Sequence, residues 1–243
     1  MSTSPRSLEE TDAVPGRAAP ERGRGAVIEV MGPAGAGKTS LARALARMDP
    51  RVRLGFDVPR PVWFPRVIQA HVRLILPWLA RRPRDRWFTW NELKSMAFLE
   101  AWLPAARRTR PGTVAVVDHG PVYRLARLAG SGPGVVASGP FRRWWDRCLA
   151  GWLDTLDLVV YLDAPDETLL ERVERRGHWF LGADRPEAEK RAFLERYRAW
   201  FEAVLASADA RPRILRLRSD RVGPEELAAE VLRTLAGRRE AAP

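Results

Sequence analysis

The feature that most constrains this chain is the segment Gly32-Pro-Ala-Gly-Ala-Gly-Lys-Thr39, which has the full spacing G-x-x-x-x-G-K-[ST]. An apolar, strand-like run from Ala26 to Met31 leads into it, and an Ala- and Leu-rich helical pattern from Ser40 to Met48 follows. A strand, a glycine-rich loop and a helix in this order are the context that a phosphate-binding loop requires. The alternative is a glycine-rich strand-to-helix turn with no ligand.

The chemistry of such a loop follows from its backbone. Glycines at 32, 35 and 37 allow positive φ, so that successive N–H groups can turn toward an anion at the start of a helix. Lys38 is expected to reach the β- and γ-phosphates of ATP, and the Thr39 hydroxyl to bind Mg²⁺. The residues expected to bind ATP are Gly32, Pro33, Ala34, Gly35, Ala36, Gly37, Lys38, Thr39 and Ser40.

Length and composition indicate one globular domain. The 243 residues are 46% hydrophobic, which suffices for a sizeable core. Residues 1–24 are rich in Ser, Pro, Gly, Arg and Glu and are predicted to be a disordered tail, with the domain spanning 25–240. With a single cysteine, no secretion signal and no apolar run long enough for a membrane helix, we expect a cytoplasmic protein without a membrane partner.

The net charge of +11 raises the question of a nucleic acid partner. Of the 41 basic residues, 38 are arginines, spread along the chain without a long basic block. Nucleic acid is therefore the less favoured partner, and binding of phosphate or carboxylate groups on a small molecule is favoured. A homodimer is also possible.

Alternation of apolar runs with helical patterns predicts an α/β fold with a parallel sheet. The predicted strands are Val27–Met31, Val52–Phe56, Thr113–Val117, Leu158–Leu162 and Arg213–Leu217. Further helices are predicted over 141–156, 166–176, 191–207 and 224–235. Residues 57–111, rich in Trp, Arg and Pro, and residues 177–190 are predicted to be less regular inserts near the carboxyl ends of the strands, where ligands bind.

Asp118 directly follows a β-rich run and is predicted to hold Mg²⁺. The next residue is His119, where an ATP hydrolase often has a glutamate; this disfavours a motor or AAA-type ATPase. The only asparagine is Asn91, so the Asn-Lys-x-Asp element of GTPases is absent. The alternative role for Asp118 is a helix cap, and His119 is interpreted first as a packing residue.

Asp57 ends the second predicted strand and could accept the proton of an attacking hydroxyl, with Arg60 close by to bind an acceptor anion. Both could instead belong to a simple strand-exit turn. Arg172 and Arg176 are four residues apart and could converge on a transferring phosphoryl group. The alternative is a solvated helix face in which arginines pair with Glu171 and Glu174. The tryptophans of the first insert are interpreted mainly as packing residues.

Taken together, these motifs resemble the P-loop nucleoside and nucleotide kinase superfamily, especially thymidylate kinases and deoxynucleoside kinases. The resemblance covers about residues 25–236 and rests on Gly32–Thr39, Val116-Val-Asp-His-Gly120, Tyr161–Arg176 and Ser219–Glu226. It implies a five-stranded parallel sheet of order 2-3-1-4-5 with a helical lid over 174–192, and lid arginines at 172 and 176. It also implies Asp57 as the carboxylate after strand two and places the Ser219 loop near adenine.

The chain departs from these families after strand three, where they usually have an acidic residue followed by arginine; His119 occupies that position, and Arg124 is one or two turns further on. The favoured function is transfer of the ATP γ-phosphate to a nucleoside, nucleotide or other hydroxylated metabolite, with Lys38, Asp57, Asp118, Arg172 and Arg176 as catalytic residues. An ATP-binding regulator or accessory ATPase acting on a protein, and phosphorylation or binding of nucleic acid ends, stay open.

Overall fold

The computed structural model describes residues 24–56, 60–80, 86–177, 185–206 and 212–240. Residues 1–23 of the predicted tail, residue 57 and most of the lid connection lie outside these ranges, whereas Arg24 is described and pairs with Asp157 at 2.9 Å. In chain order the elements are β1 (Ala26–Met31), α1 (Lys38–Met48), β2 (Val52–Leu54), α2 (Arg60–Ala80), α3 (Trp90–Arg107), β3 (Val114–Asp118), α4 (Pro121–Ser131), a 3₁₀ turn (Gly134–Ala137), α5 (Gly139–Thr155), β4 (Leu158–Asp163), α6 (Asp166–Arg175), α7 (Glu187–Ala206), β5 (Arg213–Arg218) and α8 (Pro224–Glu240).

The five strands form one parallel sheet of order β2-β3-β1-β4-β5, as the resemblance to P-loop kinases implied. The central strand β1 pairs with β3 through Ile28 and Val116, and with β4 through Ile28 and Leu158. In a parallel sheet of this kind the carboxyl ends of the strands share one edge, and the loops that leave that edge form the site.

Both faces of the sheet are covered, which explains why β1, β3 and β4 are almost continuously apolar. Side chains alternate along β1. Ile28 and Val30 belong to a first core, formed with α1, α6 and α8 on one face of the sheet. Val27 and Met31 belong to a second core, formed mainly with α3, α4, α5 and α7 on the other face. Glu29 has the same parity as Val27 and Met31, so its carboxylate is buried on the second face.

The prediction that residues 57–111 are irregular was wrong for most of this segment, because α2 and α3 occupy it. Proline and tryptophan suggested irregular structure, yet Pro104 lies inside α3. Thr89 and Glu92 form a complete capping box at the start of α3, a signal that was present in the sequence. Packing of α3 on the second core outweighs the cost of its proline.

Two predicted strand ends also shift. β2 ends at Leu54 rather than at residue 56, since Gly55 takes a φ of 76°, and β3 runs one residue later than predicted and so includes Asp118. Asp118 is thereby fixed by the sheet ladder itself, paired in register with Val30. Two described tryptophans of the first insert, Trp87 and Trp102, pack against the second core, while Trp90 is exposed.

Candidate active site

The loop between β1 and α1 requires glycine at specific positions. Gly32 has a φ of 146°, and a Cβ added there would lie 1.9 Å from the carbonyl oxygen of Leu162 in β4. Gly35 has a φ of 82°, and its Cβ would lie 2.5 Å from the carbonyl oxygen of Leu169 in α6. Backbone from β4 and α6 therefore passes directly against the loop, so a side chain at either position would clash with it.

The loop ends on the amino terminus of α1. Gly37 is the N-cap residue, in the left-handed conformation, and no side chain caps this helix. An uncapped helix start combines unpaired N–H groups with the positive end of the helix dipole. This is the arrangement that binds phosphate in loops of this kind.

Lys38, the first residue of α1, is only 6% exposed, and its ammonium donates a hydrogen bond to the carbonyl oxygen of Pro33 at 2.8 Å. Burial lowers the pKa of Lys38 to about 8; the Asp118 carboxylate opposes this shift, and the Arg176 guanidinium adds to it. The lysine is therefore held inside the loop, charged for the most part at pH 7. A phosphate that replaced the Pro33 carbonyl would meet a charged donor already in position.

Thr39 and Asp118, the two residues predicted to bind Mg²⁺, lie next to each other. The Thr39 hydroxyl donates a 2.6 Å hydrogen bond to Oδ2 of Asp118. The other carboxylate oxygen, Oδ1, is buried and has no hydrogen-bond partner among the described residues. Nδ1 of His119 lies 3.1 Å from Oδ1, without the alignment of a hydrogen bond.

A buried carboxylate oxygen without a partner, beside a hydroxyl and a phosphate loop, fits Mg²⁺, which takes oxygen ligands and usually only one or two protein carboxylates. No group of three or more His, Cys, Asp or Glu side chains that could hold a metal occurs in the part of the chain that the structure describes. A metal here would thus depend on phosphate oxygens as well as on the protein. The alternative role of Asp118 as a helix cap does not apply, since Gly120 is the N-cap residue of α4.

His119 occupies the position that a glutamate has in many hydrolases. Its φ is 55°, the only positive φ outside glycine within the described ranges. Its ring meets that of Tyr123 edge-on, with the centroids 4.5 Å apart. Partial burial, reinforced by the charge of Lys38, lowers the pKa of His119 to about 4, so the ring is neutral at pH 7.

The two predicted lid arginines are placed differently. Arg172 donates to the hydroxyl and the carbonyl oxygen of Ser219, both at 2.9 Å, and so ties α6 to the loop before α8. Arg176 follows the last residue of α6, and its charge contributes to the lowered pKa of Lys38. The predicted pairing of arginines with Glu171 occurs on this helix through Arg175, at 2.5 Å.

Between α1, α6 and α8 lies a cleft of about 270 Å³ that continues from the phosphate loop. Gly37 and Ser40 line it at the loop end, Arg172 and Arg176 along α6, and Ser219 at the far wall. Nonpolar side chains of Val222 and Leu227 complete the lining. A flat group joined to the phosphates has room here, beside the Ser219 loop, for which the resemblance implies a place near adenine.

Sequence reasoning missed Glu29. Its side chain is fully buried in β1, and its two carboxylate oxygens accept hydrogen bonds from the backbone N–H groups of Val122 and Tyr123, each at 2.8 Å. Burial raises the pKa of Glu29 to about 7, although these two bonds and the nearby Arg124 oppose the shift. The sequence contained one signal for it, a single charged residue inside the apolar run Ala26–Met31. A strand in a sheet covered on both faces excludes a charged side chain unless that side chain has hydrogen-bond partners.

Arg124 reaches the side of the site opposite the cleft. Nη1 donates to the Ser95 hydroxyl at 3.0 Å, and the guanidinium carbon lies 5.0 Å from the centroid of the Trp102 ring and 5.6 Å from that of Phe98. Burial lowers the pKa of Arg124, while Glu29 raises it. Its Nε is buried and has no hydrogen-bond partner among the described residues, so this cation is in place on α4 next to the aromatic face of α3.

The remaining predicted site residue, Asp57, lies outside the described residues, as do residues 178–184 of the lid connection. The backbone of Arg60 begins α2. None of the helices described is both long enough and apolar enough to cross a membrane.

A family model described as "AAA domain" matches residues 27–204. No curated protein shows significant similarity to the chain. Among solved structures, a shikimate kinase from Acinetobacter baumannii is 18% identical, with 88% of this chain and 94% of that chain aligned at a TM-score of 0.47. Two structures of deoxyadenosine kinase from M. mycoides are each 14% identical: the one with bound dCTP aligns 86% of this chain and 99% of its own at a TM-score of 0.46, and the one with bound dATP aligns 85% and 99% at 0.49.

Proposed function

Since the chain belongs to the AAA domain family and has the sheet of P-loop kinases, we propose that it is an ATP- and Mg²⁺-dependent phosphotransferase that acts on a small molecule in the cytoplasm. The observation that carries the proposal is the pair formed by Thr39 and Asp118 beside the buried ammonium of Lys38. It combines a hydroxyl, a carboxylate oxygen without a partner and a fixed cation at the point where the terminal phosphates would lie.

In the proposed donor site, the backbone N–H groups of the loop bind the phosphate oxygens, and Lys38 moves its hydrogen bond from Pro33 to the β- and γ-phosphates. Mg²⁺ bound by Thr39 and Asp118 would offset the negative charge between those phosphates. Arg176, at the end of α6, adds a cation on the same side. Arg172 keeps the wall of the nucleotide cleft in place through Ser219 and contributes to binding rather than to the transferring group.

A water molecule is a poor acceptor at this site. His119 holds the place of a water-activating glutamate, and its ring already packs on Tyr123. With its pKa near 4 the ring is a weak base, even though it is neutral at pH 7. Transfer to a hydroxyl of a bound molecule is therefore favoured over hydrolysis, with Asp57 proposed as the group that accepts the hydroxyl proton.

Replacement of Lys38 tests the donor site. Lys38→Met removes the charge and keeps the apolar stem, so we expect acceptor-dependent consumption of ATP to fall by about 10²-fold or more. Arg110→Met is the matched control, because it removes an exposed cation shortly before β3, at the end of that strand opposite to Asp118. Assays use ATP with panels of nucleosides, nucleotides, sugars and hydroxy acids. Unchanged turnover in Lys38→Met would refute the mechanism.

The acceptor is identified by thermal shift in the presence of Mg²⁺ and a non-hydrolysable ATP analogue. A true acceptor binds the folded chain and raises its Tm, whereas inactive panel members leave it unchanged. ATP hydrolysis at the same rate with every acceptor and with none would instead indicate the ATPase that acts on a protein partner.

A further inference from the structure

His119 keeps a large side chain at a position where the backbone favours glycine. Its φ of 55° is left-handed, and every other residue with a positive φ in the described ranges is a glycine. A Cβ in this conformation lies too close to the neighbouring backbone, so glycine would be the more stable residue at this point. Backbone strain of this kind is concentrated at functional sites.

The glycine next to His119 serves a different contact and does not relieve the strain. Gly120 has a negative φ of −77°. A Cβ added to Gly120 would lie 2.9 Å from the carboxyl carbon of Glu29. Glycine therefore lies where space is short, and histidine lies where the backbone turns left-handed. The reason for a histidine must be sought in what its imidazole contacts.

Packing accounts for little of the imidazole's value. The ring of Tyr123 meets it edge-on, with the centroids 4.5 Å apart. The His119 side chain is 45% exposed, so much of it gains nothing from burial. A single aromatic contact stabilises the fold by about as much as the left-handed conformation costs.

The ring lies at the point where phosphate transfer is proposed to occur. Nδ1 is 3.1 Å from Oδ1 of Asp118, and the other oxygen of that carboxylate accepts the hydrogen bond of Thr39. The charges of Lys38 and Arg124 both act on the ring, so it lies within reach of the phosphate loop and of the cation on α4. Neither ring nitrogen makes a hydrogen bond to any group among the residues described. Since Nδ1 faces Asp118, Nε2 is directed away from the carboxylate and is available to a ligand.

The two ring nitrogens differ in what they can bind. The Asp118 carboxylate beside Nδ1 favours the neutral tautomer in which Nδ1 carries the proton, and Nε2 is then a hydrogen-bond acceptor. The ordinary pKa of histidine is 6.5, and partial burial and the charge of Lys38 lower the pKa of His119 further, so Nε2 is not protonated at pH 8. A hydroxyl can donate a hydrogen bond to Nε2, whereas ionised phosphate and carboxylate groups have no proton to donate.

We propose that Nε2 of His119 accepts a hydrogen bond from a hydroxyl of the acceptor next to the reacting hydroxyl, and that His119 thereby selects polyhydroxylated acceptors over those with a phosphate or carboxylate group at that place. This role depends on the phosphotransferase function proposed above. In that reaction the reacting oxygen bonds the γ-phosphorus, the bond from this phosphorus to ADP breaks, and the single proton of the reacting hydroxyl goes to the proposed base. The hydrogen bond to His119 therefore comes from a second hydroxyl.

The stability of two variants tests whether the imidazole is kept for the fold. His119→Gly removes both the ring and the strain, whereas His119→Ala removes the ring and keeps a Cβ in the left-handed conformation. We expect the urea midpoint of His119→Gly to equal or exceed that of the wild type, and the midpoint of His119→Ala to be lower. A midpoint of His119→Gly clearly below that of the wild type would show that the ring is needed for packing and would overturn the proposal.

Kinetics at pH 8 test the hydrogen bond, with nucleosides and sugars, their deoxy analogues and their phosphate esters as acceptors. For the acceptor that the wild type uses, loss of the neighbouring hydroxyl should raise KM by about five- to tenfold. His119→Gly should raise the acceptor KM by a similar factor and leave the KM for ATP unchanged. In that variant the deoxy analogue should bring no further loss, because both partners of one hydrogen bond are then removed.

Two amide side chains identify the nitrogen that acts. The amide in His119→Gln reaches about as far as Nε2, and the amide in His119→Asn about as far as Nδ1. We therefore expect His119→Gln to restore most of the acceptor affinity and His119→Asn to behave like His119→Gly. A purely structural role of His119 would not separate these two variants, so equal acceptor KM values in them would count against the proposal.

The possible results distinguish the role of His119 from the function on which it depends. If the wild type transfers phosphate to an acceptor and His119→Gly has the same acceptor KM, the role of His119 is wrong and the kinase function stands. A wild type that prefers a phosphate ester to the parent hydroxyl compound would have the same meaning. A wild type that transfers phosphate to none of these acceptors would contradict the proposed function itself, and with it the role of His119.

Discussion

The two sides of the site are built in different ways. On the donor side, glycines in the loop touch the backbone of β4 and α6, and polar groups pair at 2.6 to 2.9 Å. On the proposed acceptor side, α3 packs against the core on one face of the sheet, and several of the large apolar side chains described on α2 are exposed. In the proposed function, binding of triphosphate would therefore depend on backbone geometry, which tolerates little change. Choice of acceptor would depend on side chains carried by helices, which can vary without loss of the fold.

The sharpest way to break this contrast is to add one methyl group to a glycine on each side. Gly32→Ala places a Cβ against the Leu162 carbonyl in a strained conformation, so we expect it to lower the free energy of unfolding by about 3 kcal/mol or more. ATP binding should be lost with it. Gly55→Ala, at the end of β2, has a similar positive φ but nothing within 4 Å of the new Cβ.

For Gly55→Ala we expect a loss of only about 1 kcal/mol and normal ATP affinity. Urea unfolding and nucleotide titration measure both variants. Equal losses in the two would show that the donor loop is no more tightly constrained than the strand end on the acceptor side.

Glu29 joins the two sides, since it lies in β1 and caps the start of α4. With a pKa of about 7 in the fold and 4.5 as the ordinary value, the folded chain binds more protons than the unfolded chain between these pH values. Stability from this group is complete below pH 4.5 and is lost as the pH rises to 7, by at most about 3 kcal/mol. Glu29→Gln removes this dependence and also places an amide N–H₂ against a backbone N–H group.

The difference in free energy of unfolding between the wild type and Glu29→Gln should therefore shift in favour of the variant between pH 4.5 and 7. Urea unfolding at a series of pH values gives this difference directly. A constant difference across that range would mean that Glu29 does not titrate in the folded chain.

Asp118→Asn tests the metal site at the end of β3. Loss of the carboxylate charge should raise the Mg²⁺ concentration needed for half-maximal stabilisation by ATP by roughly 10- to 100-fold. The readout is the Tm with ATP at increasing Mg²⁺. Asp163→Asn is the control at the end of β4, where both carboxylate oxygens bond Arg198; it should lower the Tm without moving the Mg²⁺ midpoint.

The smallest effect is expected for Arg124, on the acceptor side. Arg124→Met keeps the contact with Trp102 and removes the charge, so we expect an increase of about tenfold in KM for an anionic acceptor and little change in KM for ATP. Steady-state kinetics with each substrate varied in turn separates the two. A rise in KM for ATP of the same size would place Arg124 with the donor groups instead.

The resemblance to P-loop kinases implied the strand order that the structure has. The position of the loop, and of Asp118 at the same edge of the sheet, followed from local spacing and from the shared edge of a parallel sheet. Contacts between distant segments could not be predicted from the sequence. An example is the hydrogen bond of Arg172 to Ser219, 47 residues later. The helices within residues 57–111 were not predicted either, since tertiary packing overrides the proline and tryptophan pattern. The role of Asp57 as the proton acceptor stays a prediction, because Asp57 lies outside the described residues.

Burial of Lys38 has a consequence for calorimetry. Because the pKa of Lys38 is about 8, only about half of the molecules carry the charged ammonium at pH 8. A polyphosphate that enters the loop stabilises the charged form, so binding at that pH draws up to about half a proton from the buffer. The heat of ATP binding at pH 8 should then vary with the ionisation enthalpy of the buffer, and this variation should be smaller in Lys38→Met.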